Sequence, residues 1–187
     1  MNSTSNTKVI SNEIVSLGKL ELLVFSSAFV GLAVALPWVA HQFNLAGPVF
    51  LPMHLFVLIA GLVFGWRAGL IVGLLTPIVS FITSGMPLVA VLPQITLEIM
   101  VYGVVAGFCR EKLKLNIYFS LVIALIIGRL GLLMGILFFG TNSVNPLASV
   151  GNAISLGWAG ILIQLALVPI IAVWIKKFIG QNRGSHS

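Results

Sequence analysis

Two side chains of opposite charge stand inside strongly apolar stretches of this sequence. Glu98 and Arg129 each interrupt a hydrophobic run that is long enough to cross a bilayer. A charge at the centre of a membrane-spanning helix costs roughly 2.5–3.5 kcal/mol on insertion scales, so it faces a partner charge, a cavity or a ligand. Two interpretations follow: the pair only pins two helices together, or one or both residues contact a substrate.

Uncharged polar residues accompany this pair. Gln94 and Tyr102 stand four residues before and after Glu98, which places all three on one face of a helix. An arginine fork suits a carboxylate, and a glutamate suits a hydroxyl or an amine. His54 is equally consistent with packing and with ligand contact. We predict a substrate pocket that contains Arg129, Glu98, Gln94, His54, Gln164, Tyr102 and Asn142.

The elements that must hold these residues are membrane-spanning helices. Hydrophobic residues make up 59% of the 187 residues and charged residues only 7%, whereas a soluble domain carries about 25% charged residues. The composition therefore predicts that lipid is the main solvent of this chain. The single cysteine, Cys109, excludes a disulfide within the chain.

Six apolar segments have the length of about 17–25 residues that a bilayer requires. They are Leu20–Ala40, Val49–Gly65, Ala68–Ser84, Leu92–Cys109, Asn116–Phe139 and Leu156–Phe178. We expect a tight turn at Trp66 and Arg67, between the second and third segments. We predict an all-α membrane protein, a compact bundle of six transmembrane helices over residues 19–179. Polar tails at 1–18 and 180–187 flank it.

The basic residues orient this bundle. All ten Lys and Arg residues except Arg129 lie at or beyond the ends of spans, on one side of the six-span arrangement. The loops on the opposite side, at 41–48, 85–91 and 140–155, contain neither. This positive-inside pattern predicts that both termini are cytoplasmic. It also explains the net charge of +6 without nucleic acid, which we exclude as a partner.

In this orientation the polar residues gather in the outer half of the bundle, as an outward-facing pocket requires. Asn142 lies in an outer loop, Gly140 to Pro146, that is polar and turn-rich. The loop either caps the pocket or is simply solvated.

Small residues recur at steps of four in several spans. Ser27, Gly31 and Ala35 form such a stripe in the first span, and small residues let another helix approach closely. The stripe either packs within this bundle or docks a separate membrane subunit. Glycines repeat the pattern at Gly61, Gly65, Gly69 and Gly73, at Gly103 and Gly107, and at Gly131 and Gly135.

Several signatures of catalysis are missing from the sequence. It contains no nucleotide-binding P-loop and no H-E-x-x-H zinc motif. It also lacks the G-x-S-x-G nucleophile motif and an acidic cluster that would hold catalytic metals. We therefore predict neither an enzyme nor a cofactor. Uphill transport by this chain would need partner proteins or an ion gradient.

Short motifs in the second to fourth spans resemble those of a known family. They are Leu51-Pro52-Met53-His54, the segments 58–65, 69–77 and 83–87, and Leu97-Glu98-x-x-x-Tyr102-Gly103-x-x-x-Gly107. The sequence is similar here to the substrate-binding S components of energy-coupling factor (ECF) vitamin transporters. The resemblance implies a six-helix protein of the bacterial plasma membrane that captures a vitamin from outside. It also implies a transmembrane coupling subunit and two cytoplasmic ATPases as partners.

The resemblance extends to the two functional surfaces. In this family a small-residue motif on the first helix contacts the coupling subunit. Ser27, Gly31 and Ala35 match that motif in type, with Ser and Gly in place of the usual alanines. The branch of the family that this sequence resembles includes pantothenate, riboflavin and folate carriers. Arg129 favours an anionic substrate, which indicates pantothenate. The alternative is a self-sufficient transporter or channel, coupled to ions through protonation of Glu98.

Overall fold

The structure is a computed structural model, which describes residues 14–15, 17–42, 52–140 and 145–184. Within these ranges the chain forms six α-helices and no strand. They are α1 (Lys19–Gln42), α2 (Pro52–Phe64), α3 (Trp66–Ser84), α4 (Leu92–Glu111), α5 (Ile117–Phe139) and α6 (Pro146–Gly184). Of these described helices, five are long and apolar enough to cross a membrane, and α2 is shorter. The predicted all-α, six-helix membrane architecture is confirmed. The predicted start of the second span, at 49–51, lies outside the described residues.

The connection between α2 and α3 is a single residue, Gly65. Its φ of 92° lies in the region that glycine adopts without a steric penalty. Trp66 and Arg67 belong to the first turn of α3, so the predicted turn at these two residues is wrong. Glu111 accepts a hydrogen bond from the Trp66 backbone N–H at 3.3 Å. This carboxylate satisfies a donor at the N-terminus of α3, which the helix itself cannot pair.

The last helix is much longer than the sequence analysis predicts. It covers 39 residues and begins at Pro146, ten residues before Leu156. Asn145 Oδ1 accepts hydrogen bonds from the backbone N–H groups of Leu147 and Ala148, at 3.1 and 3.3 Å. An asparagine cap followed by proline is a strong helix start, and it lies within the segment 140–155 that the sequence analysis predicts as an outer loop. At the other end the helix continues to Gly184, into the predicted polar tail.

α4 packs against α2, α3 and α5. Glycines at these contacts let the backbones touch. A Cβ atom built on Gly69 would collide with the backbone of Gly103, and one built on Gly103 would collide with Gly69. The same holds for Gly61 against Gly103 and for Gly107 against Trp66. We term Gly61, Gly69, Gly103 and Gly107 the glycine seam. Such close approach is how helices associate where lipid removes the hydrophobic driving force.

α1 has two different faces. Phe29, Val30 and Ala33 are buried against the bundle, and the Phe29 ring packs edge-on against Phe56 and Phe64. The opposite face carries Ser27, Gly31 and Ala35, which are all exposed. A Cβ atom built on Gly31 would meet no described atom within 4 Å. The stripe therefore does not pack against the described helices of its own bundle.

Candidate substrate-binding site

Four predicted pocket residues meet around one oxygen atom, Glu98 Oε1. Arg129 Nη1 donates a hydrogen bond to it at 2.7 Å, and the Tyr102 hydroxyl lies 3.4 Å away as a second donor. The Nε2 atom of His54 lies 3.9 Å from the same oxygen. The residues come from α2, α4 and α5. We term Glu98, Arg129, Tyr102 and His54 the Glu98 cluster.

The fold explains why these residues meet. Glu98 and Tyr102 are four residues apart on α4, so they share one helix face. α2 runs parallel to α4, because Gly61 approaches Gly103 and Gly107 while His54 approaches Glu98. The neighbouring helix α5 contributes Arg129. The shared face predicted for Glu98 and Tyr102 is observed. The contact of Glu98 with Arg129 corresponds to the ion pair that was one of the two interpretations of the sequence.

The Glu98 cluster is buried in the bundle. The exposed fractions of the side chains are 5% for Glu98, 9% for His54 and 11% for Arg129. The His54 ring also packs edge-on against the Tyr102 ring, with 5.1 Å between centroids. A buried charge pair persists only where each ion is compensated, and removing one partner strands the other. The cluster is thus one interdependent unit rather than four separate contacts.

Arg129 uses only part of its hydrogen-bonding capacity. Its Nη1 atom binds Glu98, whereas Nε and Nη2 are buried and have no hydrogen-bond partner among the described residues. Nε and Nη2 together form one of the guanidinium edges that bind both oxygens of a carboxylate. We term these two atoms the open edge of Arg129. Both ring nitrogens of His54 are likewise buried without a hydrogen-bond partner in the described part of the chain.

Buried donors that lack a partner are unfavourable, each by about 1–3 kcal/mol. A purely structural ion pair gains nothing from leaving two guanidinium nitrogens and two imidazole nitrogens in this condition. A ligand that accepts hydrogen bonds from the two guanidinium nitrogens, and that both accepts from and donates to the imidazole, would satisfy them. The arrangement is therefore chemically suited to a small acidic or polar molecule.

Of the other predicted pocket residues, Gln94 points away from Glu98, Gln164 is buried on another helix, and Asn142 is not among the described residues. The Gln94 backbone packs against α5 at Gly135, but its side-chain amide donates to the carbonyl of Ala90 at 3.4 Å. The Gln94 side chain thus turns toward the start of its own helix, away from Glu98. Gln164 is buried on α6, which packs against α2 and α5. Asn142 lies outside the described residues.

Sequence analysis missed one residue of this region, Gly128. A Cβ atom built there would lie 2.6 Å from Cζ of the Tyr102 ring. The ring can rest against α5 only because residue 128 has no side chain. The available signal was a glycine directly before the charged Arg129, within a span where the recurring glycines were read as packing positions.

A separate groove of about 430 Å³ lies between α4 and α5, lined by Leu97, Val101, Leu130, Met134 and Phe138 among others. Leu130, Met134 and Phe138 are exposed on the outside of the bundle. The groove offers no polar group to orient a ligand, whereas binding sites for polar molecules contain a few. It faces the region that lipid occupies, and we do not assign substrate to it.

Metal binding finds no support in the described residues, which contain no group of three or more His, Cys, Asp or Glu side chains that could hold an ion.

Comparison with known proteins gives one match. No curated protein and no solved structure matches this chain. The family described as ECF transporter, substrate-specific component, matches residues 21–178. This range includes the Glu98 cluster, the glycine seam and the stripe on α1, and it confirms the resemblance found in the sequence. The family is one of transporter components and not of enzymes. The chain is a multi-pass membrane protein and belongs to the family of substrate-specific components of ECF transporters.

Proposed function

We propose that this chain captures a small water-soluble vitamin carrying a carboxylate, with pantothenate as the favoured candidate. The Glu98 cluster is the proposed binding site, and the protein itself performs no chemical conversion. The observation that carries the proposal is the open edge of Arg129, beside a Glu98 that already holds the other side of the guanidinium. Family membership supports the role of substrate-specific subunit.

The geometry explains why a carboxylate is favoured. The 2.7 Å bond from Nη1 to Glu98 anchors one corner of the guanidinium, so the open edge on the opposite side faces away from Glu98. Two parallel N–H···O bonds from that edge would match the two carboxylate oxygens. The His54 nitrogens offer further contacts for the hydroxyl or amide groups of the same molecule. A hydroxyl group could also donate to Glu98.

Access from outside follows from the proposed orientation. Glu98 lies about two turns into α4, which is roughly 10 Å along the helix axis. His54 lies in the first turn of α2. Both helices follow loops that contain no Lys or Arg, which we place outside the cell on the positive-inside rule. The cluster would then be reached from the outer surface of a bacterial plasma membrane, with both termini in the cytoplasm.

Release of the substrate requires partners in this proposal. Ser27, Gly31 and Ala35 face away from the bundle and are proposed to dock a transmembrane coupling subunit. Two cytoplasmic ATPases, attached to that subunit, supply the energy that this chain cannot generate. The exposed position of the stripe supports this assignment over internal packing.

The first experiment identifies the substrate and tests Arg129. Mass spectrometry of the compound that co-purifies with the protein should give a carboxylic acid. Arg129→Ala should weaken pantothenate binding by at least about thirtyfold in calorimetry, because a buried charged hydrogen-bond partner is lost. Panthenol, in which the carboxylate is replaced by an alcohol, should bind the wild-type protein weakly. Unchanged binding by Arg129→Ala would make this residue structural.

A second variant distinguishes a direct loss of binding from a loss caused by misfolding. Arg129→Ala leaves Glu98 buried without its partner, which by itself costs about 3–5 kcal/mol of stability. The double variant Glu98→Gln/Arg129→Gln removes both charges and should remain monodisperse in detergent, yet it should not bind pantothenate. Recovery of binding in the double variant would show that the pair only pins α4 to α5.

The alternative function, a self-sufficient ion-coupled transporter, is tested separately. The wild-type chain alone, reconstituted in proteoliposomes, should bind pantothenate but not accumulate it down an imposed proton or sodium gradient. Accumulation without any ATPase would overturn the proposed dependence on partners.

A further inference from the structure

We propose that Gly128 is a positioning residue for the Glu98 cluster. It leaves room for the Tyr102 ring on α5, and through that ring it sets the position of Glu98 and of the open edge of Arg129. The inference rests on the proposed function, because it concerns how the same site holds its ligand. Gly128 itself contacts no substrate in this proposal.

The ring of Tyr102 is confined on two sides. A Cβ atom at Gly128 would approach three ring atoms, including Cζ at 2.6 Å, a separation that real Cβ contacts essentially never show. On another side His54 packs edge-on, with 5.1 Å between ring centroids. Tyr102 is only 1% exposed, so it has no solvent-facing space into which to retreat. A methyl group at residue 128 would therefore have to displace His54, Glu98 or the whole of α5.

Each of these displacements reaches the proposed binding atoms. The Tyr102 hydroxyl lies 3.4 Å from Glu98 Oε1, the same oxygen that binds Arg129 Nη1. Gly128 also directly precedes Arg129 on α5. A shift of the helix backbone at residue 128 would therefore also move the Arg129 side chain. A shift of α5 away from α4 would move the open edge of Arg129 relative to His54. Overpacking at this point should thus damage recognition of a carboxylate in particular.

Gly131 provides a matched control on the same helix. The three atoms nearest to a Cβ built there all belong to the Val101 side chain, the closest at 3.1 Å. Val101 is on α4, as Tyr102 is, but it does not belong to the Glu98 cluster. Gly131→Ala therefore perturbs the same helix pair without pushing on Tyr102.

The test uses the full-length protein in detergent, with pantothenate and panthenol as probes. Gly128→Ala should weaken pantothenate binding by about tenfold or more, the effect expected of overpacking a rigid site. It should also lower the ratio of the panthenol Kd to the pantothenate Kd, because the carboxylate contact is the one that is misplaced. Gly131→Ala should leave that ratio unchanged. A general loss of stability affects the binding of both probes equally, so it would not change the Kd ratio in either variant.

A second measurement covers the case in which Gly128→Ala does not fold. Tyr102→Leu removes the ring, so Gly128→Ala should then lower the thermal unfolding midpoint no further. A full additional loss in the Tyr102→Leu background would show that the ring is not what the methyl group meets, and would overturn the inference. Equal affinities and equal Kd ratios for Gly128→Ala and Gly131→Ala would overturn it as well. A wild-type protein that binds neither probe would instead overturn the proposed substrate, and this assignment with it.

Discussion

The glycine seam and the stripe on α1 are built from the same sequence pattern, yet their surroundings are opposite. In the seam, a Cβ atom added to Gly69 or Gly103 would collide with the backbone of the other helix. On α1, a Cβ atom added to Gly31 would meet no described atom within 4 Å. Small residues at steps of four thus indicate where a helix can be approached closely. They do not indicate whether the approaching helix belongs to the same chain.

The residues around the two regions differ in the same way. The seam lies within a core whose members Leu58, Leu62 and Ile99 are almost completely buried. The stripe is bordered by Val24, Leu32 and Leu36, which are about half exposed. In a bilayer these leucine and valine side chains are in contact with lipid at little cost. An exposed stripe of small residues among them is a smooth surface that another helix can cover.

The strongest test of this contrast replaces a glycine in the seam. Gly103→Leu should prevent folding, because its side chain would have to occupy the backbone of α3. We expect loss of the monodisperse peak in size-exclusion chromatography, with destabilisation of about 3 kcal/mol or more. Leu at Gly85, where an added Cβ would meet no described atom, is a poor control because its φ is 72°. Gly31→Leu is the better control, since α1 continues as regular helix there. A folded Gly103→Leu protein would show that the seam is less tight than its geometry implies.

The next largest effect is expected on the stripe. Gly31→Leu should leave folding and pantothenate binding unchanged, because residue 31 faces away from the bundle and from the Glu98 cluster. It should strongly reduce recovery of the coupling subunit and the ATPases in a co-purification, since the new side chain blocks close helix approach. Undiminished assembly would refute the docking role and leave the stripe as a lipid-facing surface.

The smallest effect is expected at the edge of the same stripe. Ser27→Ala restores the residue type that is usual in the family motif, and Ser27 is exposed. We expect unchanged folding, and an assembly yield within about twofold of the wild type, as for a surface substitution. A large loss of assembly would mean that the Ser27 hydroxyl bonds to the partner helix, which would sharpen the description of the stripe from smooth to polar.

Much of the fold could be predicted from composition and spacing. The lengths of the apolar segments predict the helices. The spacing of four residues between Glu98 and Tyr102 predicts that they share one helix face, and the structure has them on one face. A pairing of Glu98 with Arg129 was one of the two interpretations that their opposite charge in neighbouring spans allowed, and the structure contains it. These predictions succeed because a lipid environment leaves few alternatives for the backbone and few partners for a charge.

What could not be predicted depends on local geometry or on exposure. Asn145 caps a helix that hydropathy alone starts ten residues later. Gln94 has the correct spacing to join Glu98, but its flexible side chain bonds instead to the carbonyl of Ala90, just before α4. Gly128 and Gly31 are the same residue type on two apolar helices, and only the three-dimensional packing distinguishes a crowded position from an open one. The spacing of residues along a helix specifies which of them share a face, whereas their contacts depend on how the helices are arranged around that face.

The length of α6 has a mechanical consequence. At 39 residues it measures about 58 Å, whereas the hydrocarbon core of a bilayer is about 30 Å thick. An upright α6 therefore extends into the headgroup layers or the water on both sides. Asn152 and Gln181, near its two ends, are exposed. If the bundle leans over in the membrane, these polar ends are drawn toward the acyl chains. Their hydration thus acts as a restoring force that opposes tilting, and a partner that tilts the protein must work against it.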